Sequence, residues 1–131
     1  MVRKLEKILI LFIPLLLIML LSSNYLYEWW IGNSIEIPLS ISASVACYFL
    51  FQISGTVYMY LINGTSKVRI QLLIYFFSAL LAVPLITYFC RKYGISGALL
   101  FPTVVFAFQT IMSKIQINKI VNNRAKGLWN K

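Results

Sequence analysis

The residues of this chain that could do chemistry are polar side chains placed inside long apolar runs. Ser40, Ser44, Gln52 and Thr56 share one such run, and Gln109 lies in a later one. In membrane helices, small and hydroxyl-bearing residues allow close helix contact, and an amide can bond to a neighbouring helix. The same side chains could instead line a polar cavity. These five residues are therefore predicted to serve helix contact or to line a cavity, and both interpretations stay open.

Catalytic and metal-binding chemistry is not indicated by the remaining residues. The chain has no histidine, three acidic residues and two cysteines, Cys47 and Cys90. Two thiols lack the ligand number and spacing of a zinc site, and small buried thiols are the ordinary interpretation. The sequence contains no glycine-rich phosphate loop and no nucleophile beside a base. We therefore predict that the protein is not an enzyme and that it holds no cofactor and no metal.

The composition is that of an integral membrane protein. Of 131 residues, 60% are hydrophobic and 11% are charged, whereas about a quarter of the residues in a soluble domain are charged. The formal net charge is +9. In a membrane protein such an excess of positive charge faces anionic lipid headgroups. Membrane lipid is therefore a predicted partner, and nucleic acid is not.

Four apolar stretches are each long enough to cross a bilayer as a helix, which takes about 20 residues. Pro14 and Pro84 fall inside two of these stretches and are expected to kink the helices. Aromatic residues crowd the segment 24–37, which is predicted to be a solvated connector at the level of the headgroups. Residues 1–131 thus form a single membrane domain, with spans predicted at about 7–23, 38–62, 69–89 and 95–112.

A basic tail, 113–131, follows the fourth span. Ile117, Ile120, Val121 and Leu128 fall close to one helical stripe, and the basic residues of the tail fall elsewhere. This pattern is typical of a helix that lies on the membrane surface. An interfacial helix is therefore predicted for the tail, and a disordered tail is the alternative.

The connector between the second and third spans combines a turn signal with basic charge. Asn63 and Gly64 both tolerate positive φ, so this dipeptide predicts a tight hinge. Lys67 and Arg69 follow the dipeptide and mark the membrane face on which the connector lies. A second sharp turn is predicted at 90–97, which contains two glycines.

Basic residues are distributed unequally between the two sides of the predicted four-span topology. Ten of the twelve lie in the terminal segments or in the connector 63–71, and Arg91 and Lys92 lie on the opposite side. Basic loops are retained in the cytoplasm. Both termini and the connector are therefore predicted to be cytoplasmic.

Short motifs follow one another in order along most of the chain: YFLFQ at 48–52, YLING at 60–64, KVRIQ at 67–71, VPL at 83–85, YGISGA at 93–98 and GLWNK at 127–131. In this succession the chain resembles the Wzx-type polysaccharide (O-antigen) flippases, which belong to the multidrug/oligosaccharidyl-lipid/polysaccharide exporter superfamily. Family members are longer and have two helical lobes around a central cavity. The resemblance covers only the last spans of the second lobe, and it implies an all-α integral membrane protein with four transmembrane helices.

The resemblance also implies a function. Family members move undecaprenyl-diphosphate-linked oligosaccharide from the cytoplasmic to the outer leaflet of the bacterial inner membrane by alternating access, in lipopolysaccharide biosynthesis. This chain would then be a segment of such a transporter, incomplete alone and joined by the remaining transporter spans or by a partner chain. The family usually has glycine where this chain has Ser66, so the connector is expected to be less mobile here.

Two other classes of function fit a four-span chain. The first is an autonomous small membrane protein, such as a small multidrug exporter or a GtrA-like lipid-sugar carrier. The small exporters need a carboxylate embedded in the membrane, and Glu6 is expected to lie too near the terminus to serve. The second class is a non-transporting membrane adaptor that docks through its basic tail.

Overall fold

The backbone is helical over nearly the whole described chain. The computed structural model describes residues 2–32 and 36–130, with side chains described from Glu6 onward. In this part of the chain the elements are α1 Val2–Leu21, α2 Ser23–Ile31, α3 Leu39–Asn63, α4 Arg69–Ala98, α5 Leu100–Val121 and a terminal 3-10 helix, Gly127–Asn130. Helices α3, α4 and α5 are each long and apolar enough to cross a membrane, and α1 with α2 adds a fourth span if the bent pair counts as one. The predicted all-α class is confirmed, and these helices are compatible with a multi-pass membrane protein.

A sharp bend follows the first apolar helix. Helix α1 passes through Pro14 without interruption, and α2 leaves it beyond Ser22 at an angle of 53°. The hydroxyl of Ser22 donates to the carbonyl of Ile18 at 2.7 Å, a bond to the preceding turn that favours bending. The prediction of a connector over 24–37 is wrong for its first part, which belongs to α2. Residues 33–35 of that connector lie outside the described residues.

Helices α3 and α5 run parallel and form the main interface of the bundle. Contacts follow one another in the same order along both helices: Tyr48 with Phe106, Gly55 with Thr110, and Ile62 with Ile117. A Cβ atom on Gly55 would lie 3.2 Å from the hydroxyl oxygen of Thr110. The absence of a side chain at Gly55 therefore lets the two helices approach closely, as small residues do in membrane bundles.

The buried core is small and lies at one end of this interface. It consists of Tyr58, Ile62 and Ile117, with Leu9 and Leu61 packed against it. Large apolar side chains along α1 and α4 are exposed instead, and none of the most apolar window of α4 is buried. These exposed surfaces are suited to contact with lipid or with further helices.

Helix α4 is broken at Gly94, which has φ 64° and ψ −147°. A residue with a side chain rarely adopts this conformation. Gly97 then approaches the backbone of Phe89 so closely that an added Cβ atom would clash with its carbonyl oxygen. Two residues that are eight apart in sequence meet in this way only if the chain doubles back. The predicted turn at 90–97 is therefore present, although the helical assignment continues through it to Ala98.

The connector between α3 and α4 lies where it is predicted, but the residue with positive φ is neither Asn63 nor Gly64. Gly64 has φ −62°, because its amide still donates to the carbonyl of Tyr60 at 3.1 Å in the helical pattern. Positive φ occurs at Ser66 instead, at 58°. The prediction of positive φ at Asn63 and Gly64 is therefore wrong.

The first part of the tail belongs to α5. The helix continues to Val121, well past the predicted end of the span at 112, and Ser113, Gln116 and Ile117 are buried. The prediction of a separate surface helix starting at 113 is wrong, since these side chains pack into the bundle. The terminal 3-10 helix contacts both α4 and α5, and the ammonium of Lys119 lies 3.7 Å from the ring centroid of Trp129.

Candidate functional site

The polar residues of α3 do not gather into one site. Ser40 is exposed, and the hydroxyl of Ser44 donates to the carbonyl of Ser40 at 2.8 Å within the same helix. Gln52 and Thr56 are half-buried, and neither side chain forms a hydrogen bond with any residue that the structure describes. Helix contact and cavity lining therefore both stay open for Gln52 and Thr56, whereas Ser44 is satisfied within its own helix.

Gln109 lies inside the bundle. Its side chain is fully buried, and both polar atoms of its amide lack a hydrogen-bond partner within residues 2–32 and 36–130. The neighbouring Thr110 donates to the carbonyl of Phe106 at 2.8 Å and lies 3.4 Å from that of Phe51. Thr110 thus fulfils the role of polar helix contact, and Gln109 is buried without making such a bond.

The predicted hinge residues lie at the junction of α3 and α4: Asn63, Gly64, Lys67 and Arg69. Two glutamine amides hold this junction. The Nε2 atom of Gln116 donates to the carbonyl of Lys67 at 2.8 Å, and that of Gln71 donates to the carbonyl of Met59 at 3.4 Å. These bonds tie the connector to α5 and the first turn of α4 to the end of α3.

Three polar side chains meet at the same end of the bundle and were not predicted together. The hydroxyl of Tyr58 donates to a carboxylate oxygen of Glu6 at 3.0 Å, and the ammonium of Lys114 lies 2.9 Å from that same oxygen. Tyr58 is 4% exposed, while the side chains of Glu6 and Lys114 are 31% and 62% exposed. We call this set the Glu6 network.

The Glu6 network joins three helices, because its members come from α1, α3 and α5. A carboxylate that accepts a hydrogen bond from a phenol and pairs with an ammonium is held in one orientation. This arrangement can fix α1 against the parallel pair α3 and α5. A lone acid at the start of an apolar helix was the available sequence signal, but its partners lie 52 and 108 positions away, beyond the reach of any periodic pattern.

An apolar groove of about 250 Å³ lies at the other end of α1, between the bend and α3. Leu16, Met19, Leu26 and Phe49 are among its lining residues. The hydroxyls of Tyr27 and Ser42, which also line it, lie 3.2 Å apart and link α2 to α3. The lining of the groove is almost entirely apolar, and membrane lipid as a partner stays a prediction.

Within the described residues, no three side chains of the metal-binding types come together. The two thiols are exposed and unbonded to each other. Comparison with family models, with characterised proteins and with solved structures found no match to this chain.

Proposed function

We propose that this chain is a segment of a polysaccharide transporter that moves undecaprenyl-diphosphate-linked oligosaccharide to the outer leaflet of the bacterial inner membrane. The three or four apolar helices provide a membrane-crossing frame, and the ordered motifs resemble the end of a Wzx-type flippase. Further transporter spans or a partner chain complete the transporter. The exposed apolar length of α4 supplies a surface on which they can pack.

The polar middle of α3 is the observation that carries this proposal. Gln52 and Thr56 are half-buried, and their side chains form no hydrogen bond with the described residues. A polar group left against hydrocarbon is costly, so these side chains need a partner. In a complete transporter they bond to another helix of the lobe or line the path of the oligosaccharide, whose hydroxyls suit amides and alcohols.

The orientation in this proposal has both termini and the hinge in the cytoplasm, following the distribution of basic residues. The Glu6 network then lies at the cytoplasmic end, because it is formed near the start of α1 and the end of α3. Alternating access requires helices to separate on one side while they close on the other. The Glu6 network would hold the cytoplasmic side closed, and its bonds would break when that side opens.

A small autonomous exporter is the second candidate, and one observation favours it. Glu6 packs against the bundle rather than beyond it, since its carboxylate reaches Tyr58 on α3. A carboxylate in the bundle is what the small multidrug exporters need. Lys114 pairs with this carboxylate, which leaves less free charge for a cationic substrate, and we rank this candidate second.

Complementation of a bacterium that lacks its polysaccharide flippase tests the proposal. The chain is supplied alone, and in parallel with the earlier spans of a Wzx-type transporter. We expect surface polysaccharide to return only in the second case. Restoration by the chain alone would establish an autonomous carrier and overturn the segment proposal.

A pair of variants tests the role of α3 in the same assay. Replacing the two unbonded side chains (Gln52→Leu with Thr56→Val) should reduce restoration, because their partners in the complete transporter would be left unbonded. Ser44→Ala is the matched control, since the Ser44 hydroxyl bonds within its own helix. If the double variant restores polysaccharide as well as the control does, the polar middle of α3 has no part in transport.

A further inference from the structure

A stripe of buried polar side chains runs along α5 from its middle to the connector. Gln109 and Gln116 are fully buried, and Ser113 between them is 2% exposed. Their spacing of four and then three residues places them on one flank of the helix. We call this set the α5 polar stripe.

The α5 polar stripe has more hydrogen-bonding capacity than the bundle satisfies. Both amide atoms of Gln109 and the Oε1 atom of Gln116 have no partner in the part of the chain that the structure describes. The great majority of buried polar atoms in proteins form a hydrogen bond with protein or with ordered water. Three unpartnered atoms on two residues of one helix, about two turns apart, therefore need a common explanation.

The flank that carries these atoms faces α4. Gln109 and Gln116 each precede a residue that faces α3, namely Thr110 and Ile117, so each is rotated by about 100° to the same side. The bond from Gln116 to the carbonyl of Lys67 shows that this side points towards the connector and the start of α4. The α5 polar stripe thus lies along the junction between α4 and α5.

Both glutamine side chains have no exposed surface, so these atoms can be satisfied only by a molecule small enough to enter between the helices when α4 and α5 move apart. Amides and a hydroxyl carry no charge, and they both donate and accept hydrogen bonds. This chemistry suits a small neutral ligand that does both, which is water, rather than an ion. We propose that α4 and α5 enclose a hydrated crevice, lined by the α5 polar stripe, which admits water from the connector end.

The chain can accommodate such a crevice without breaking the α3–α5 interface. The break at Gly94 lies at the far end of the α4–α5 junction and gives α4 a point about which to splay. At the near end, the bond from Gln116 to Lys67 would open or exchange for water. The crevice would form in any protein with this packing, whether or not the chain serves a transporter.

Thiol labelling of the full chain in proteoliposomes tests the crevice. Ser113→Cys, in a background with Cys47 and Cys90 replaced by alanine, keeps both glutamines and places a thiol between them. The thiolate is the nucleophile that attacks a thiol reagent, and it forms in water and not in an apolar contact. With a small water-soluble reagent, we expect Ser113→Cys to react about tenfold faster than a dry thiol on the same helix.

One matched variant, Ile117→Cys, supplies the dry reference, because Ile117 is 7% exposed and lies in the apolar core. Adding Gln109→Leu to Ser113→Cys should slow its labelling, because a group that holds water is removed. If Ser113→Cys reacts as slowly as Ile117→Cys, the proposal is overturned.

A measurement on the unsubstituted chain guards against misfolded variants. Backbone amide hydrogen exchange should be faster at 109–116 of α5 than at 52–58 of α3, because water reaches the α5 polar stripe. Equal and slow exchange in the two segments would contradict a hydrated crevice even if every cysteine variant failed to fold.

Discussion

Removal of the Tyr58 hydroxyl should destabilise the bundle more than removal of the Lys114 charge. Tyr58 donates to the Glu6 carboxylate at 3.0 Å and is 4% exposed, so Tyr58→Phe deletes a buried bond to a charged acceptor, which contributes about 1.5–3 kcal/mol. The ammonium of Lys114 is closer to that carboxylate, at 2.9 Å, but its side chain is 62% exposed. An exposed pair of this kind contributes about 0.2–1 kcal/mol. The shorter contact is therefore expected to be the weaker one.

The assay is the free energy of unfolding in detergent micelles, measured for the unsubstituted chain, for Tyr58→Phe, Lys114→Gln and Glu6→Gln, and for each of the first two combined with Glu6→Gln. The double-mutant cycle isolates each pair from other contacts of Glu6. We expect a coupling of about 1 kcal/mol or more between Tyr58 and Glu6. Added salt should weaken the contribution of Lys114 and leave that of Tyr58 nearly unchanged.

Two results would refute this reasoning. A larger loss of stability for Lys114→Gln than for Tyr58→Phe would show that burial does not rank the two contacts. A coupling near zero between Tyr58 and Glu6 would show that their contact does not tie α1 to α3. In the first case the Glu6–Lys114 ion pair would contribute most of the stability of the Glu6 network. In the second case the Glu6 network would not hold α1 against α3.

Three further changes test the backbone and the tail. Gly97→Ala should lower the yield of folded protein in membranes, because its Cβ atom would clash with the Phe89 carbonyl. Gly64→Ala serves as the control, since its Cβ atom meets only ordinary contacts. Equal yields would show that the chain does not turn back on itself at Gly97. Ser66 has φ 58°, a region that a β-branched residue resists. Ser66→Val should therefore lower the melting temperature in detergent, whereas Ser66→Gly should leave it unchanged or raise it. A valine variant that melts at the same temperature as the unsubstituted chain would contradict the positive φ at this position. The last change replaces three cations of the tail by glutamine: Lys119, Arg124 and Lys126. It should weaken the preference of the purified full chain for anionic over neutral lipid by about 1 kcal/mol per cation. A preference that responds neither to the substitutions nor to salt would count against lipid contact by the tail.

Apolar length predicted the helical frame well, because about 20 apolar residues have few alternatives to a buried helix. Helix α3 begins and ends within one residue of its predicted span. The ends of α5 and α1 were harder to predict. Polar residues such as Ser113 and Gln116 look like the start of a tail in sequence, yet neighbouring helices bury them. The chain bends at the two serines after α1, and α2 then continues to Ile31 through residues that were expected to form a solvated connector.

Contacts between distant segments could not be predicted from local pattern. Glu6 carries no periodic signal, and the expectation that it lies too near the terminus to act in the membrane followed from its position alone. The positive φ at Ser66 was also hidden, because Asn63 and Gly64 are the stronger local signal, but α3 keeps its helical bonds through both. Turn propensity indicates which residues tolerate positive φ. The hydrogen bonds of the preceding helix decide which residue must adopt it.

The α3–α5 interface shows which polar or small residues of this part of the bundle pack within the chain, and it leaves helix contact and cavity lining open for Gln52 and Thr56. Gly55 and Thr110 make direct contacts, so they act as helix packing residues. Gln52 and Thr56 are of similar chemical type and lie one turn or less from Gly55, yet their side chains make no hydrogen bond with the described chain. Since successive residues are rotated by about 100°, neighbours on α3 face different surroundings. Residue type therefore indicates that α3 packs against something polar or small, and only the rotation of each position shows whether this chain or another molecule provides it.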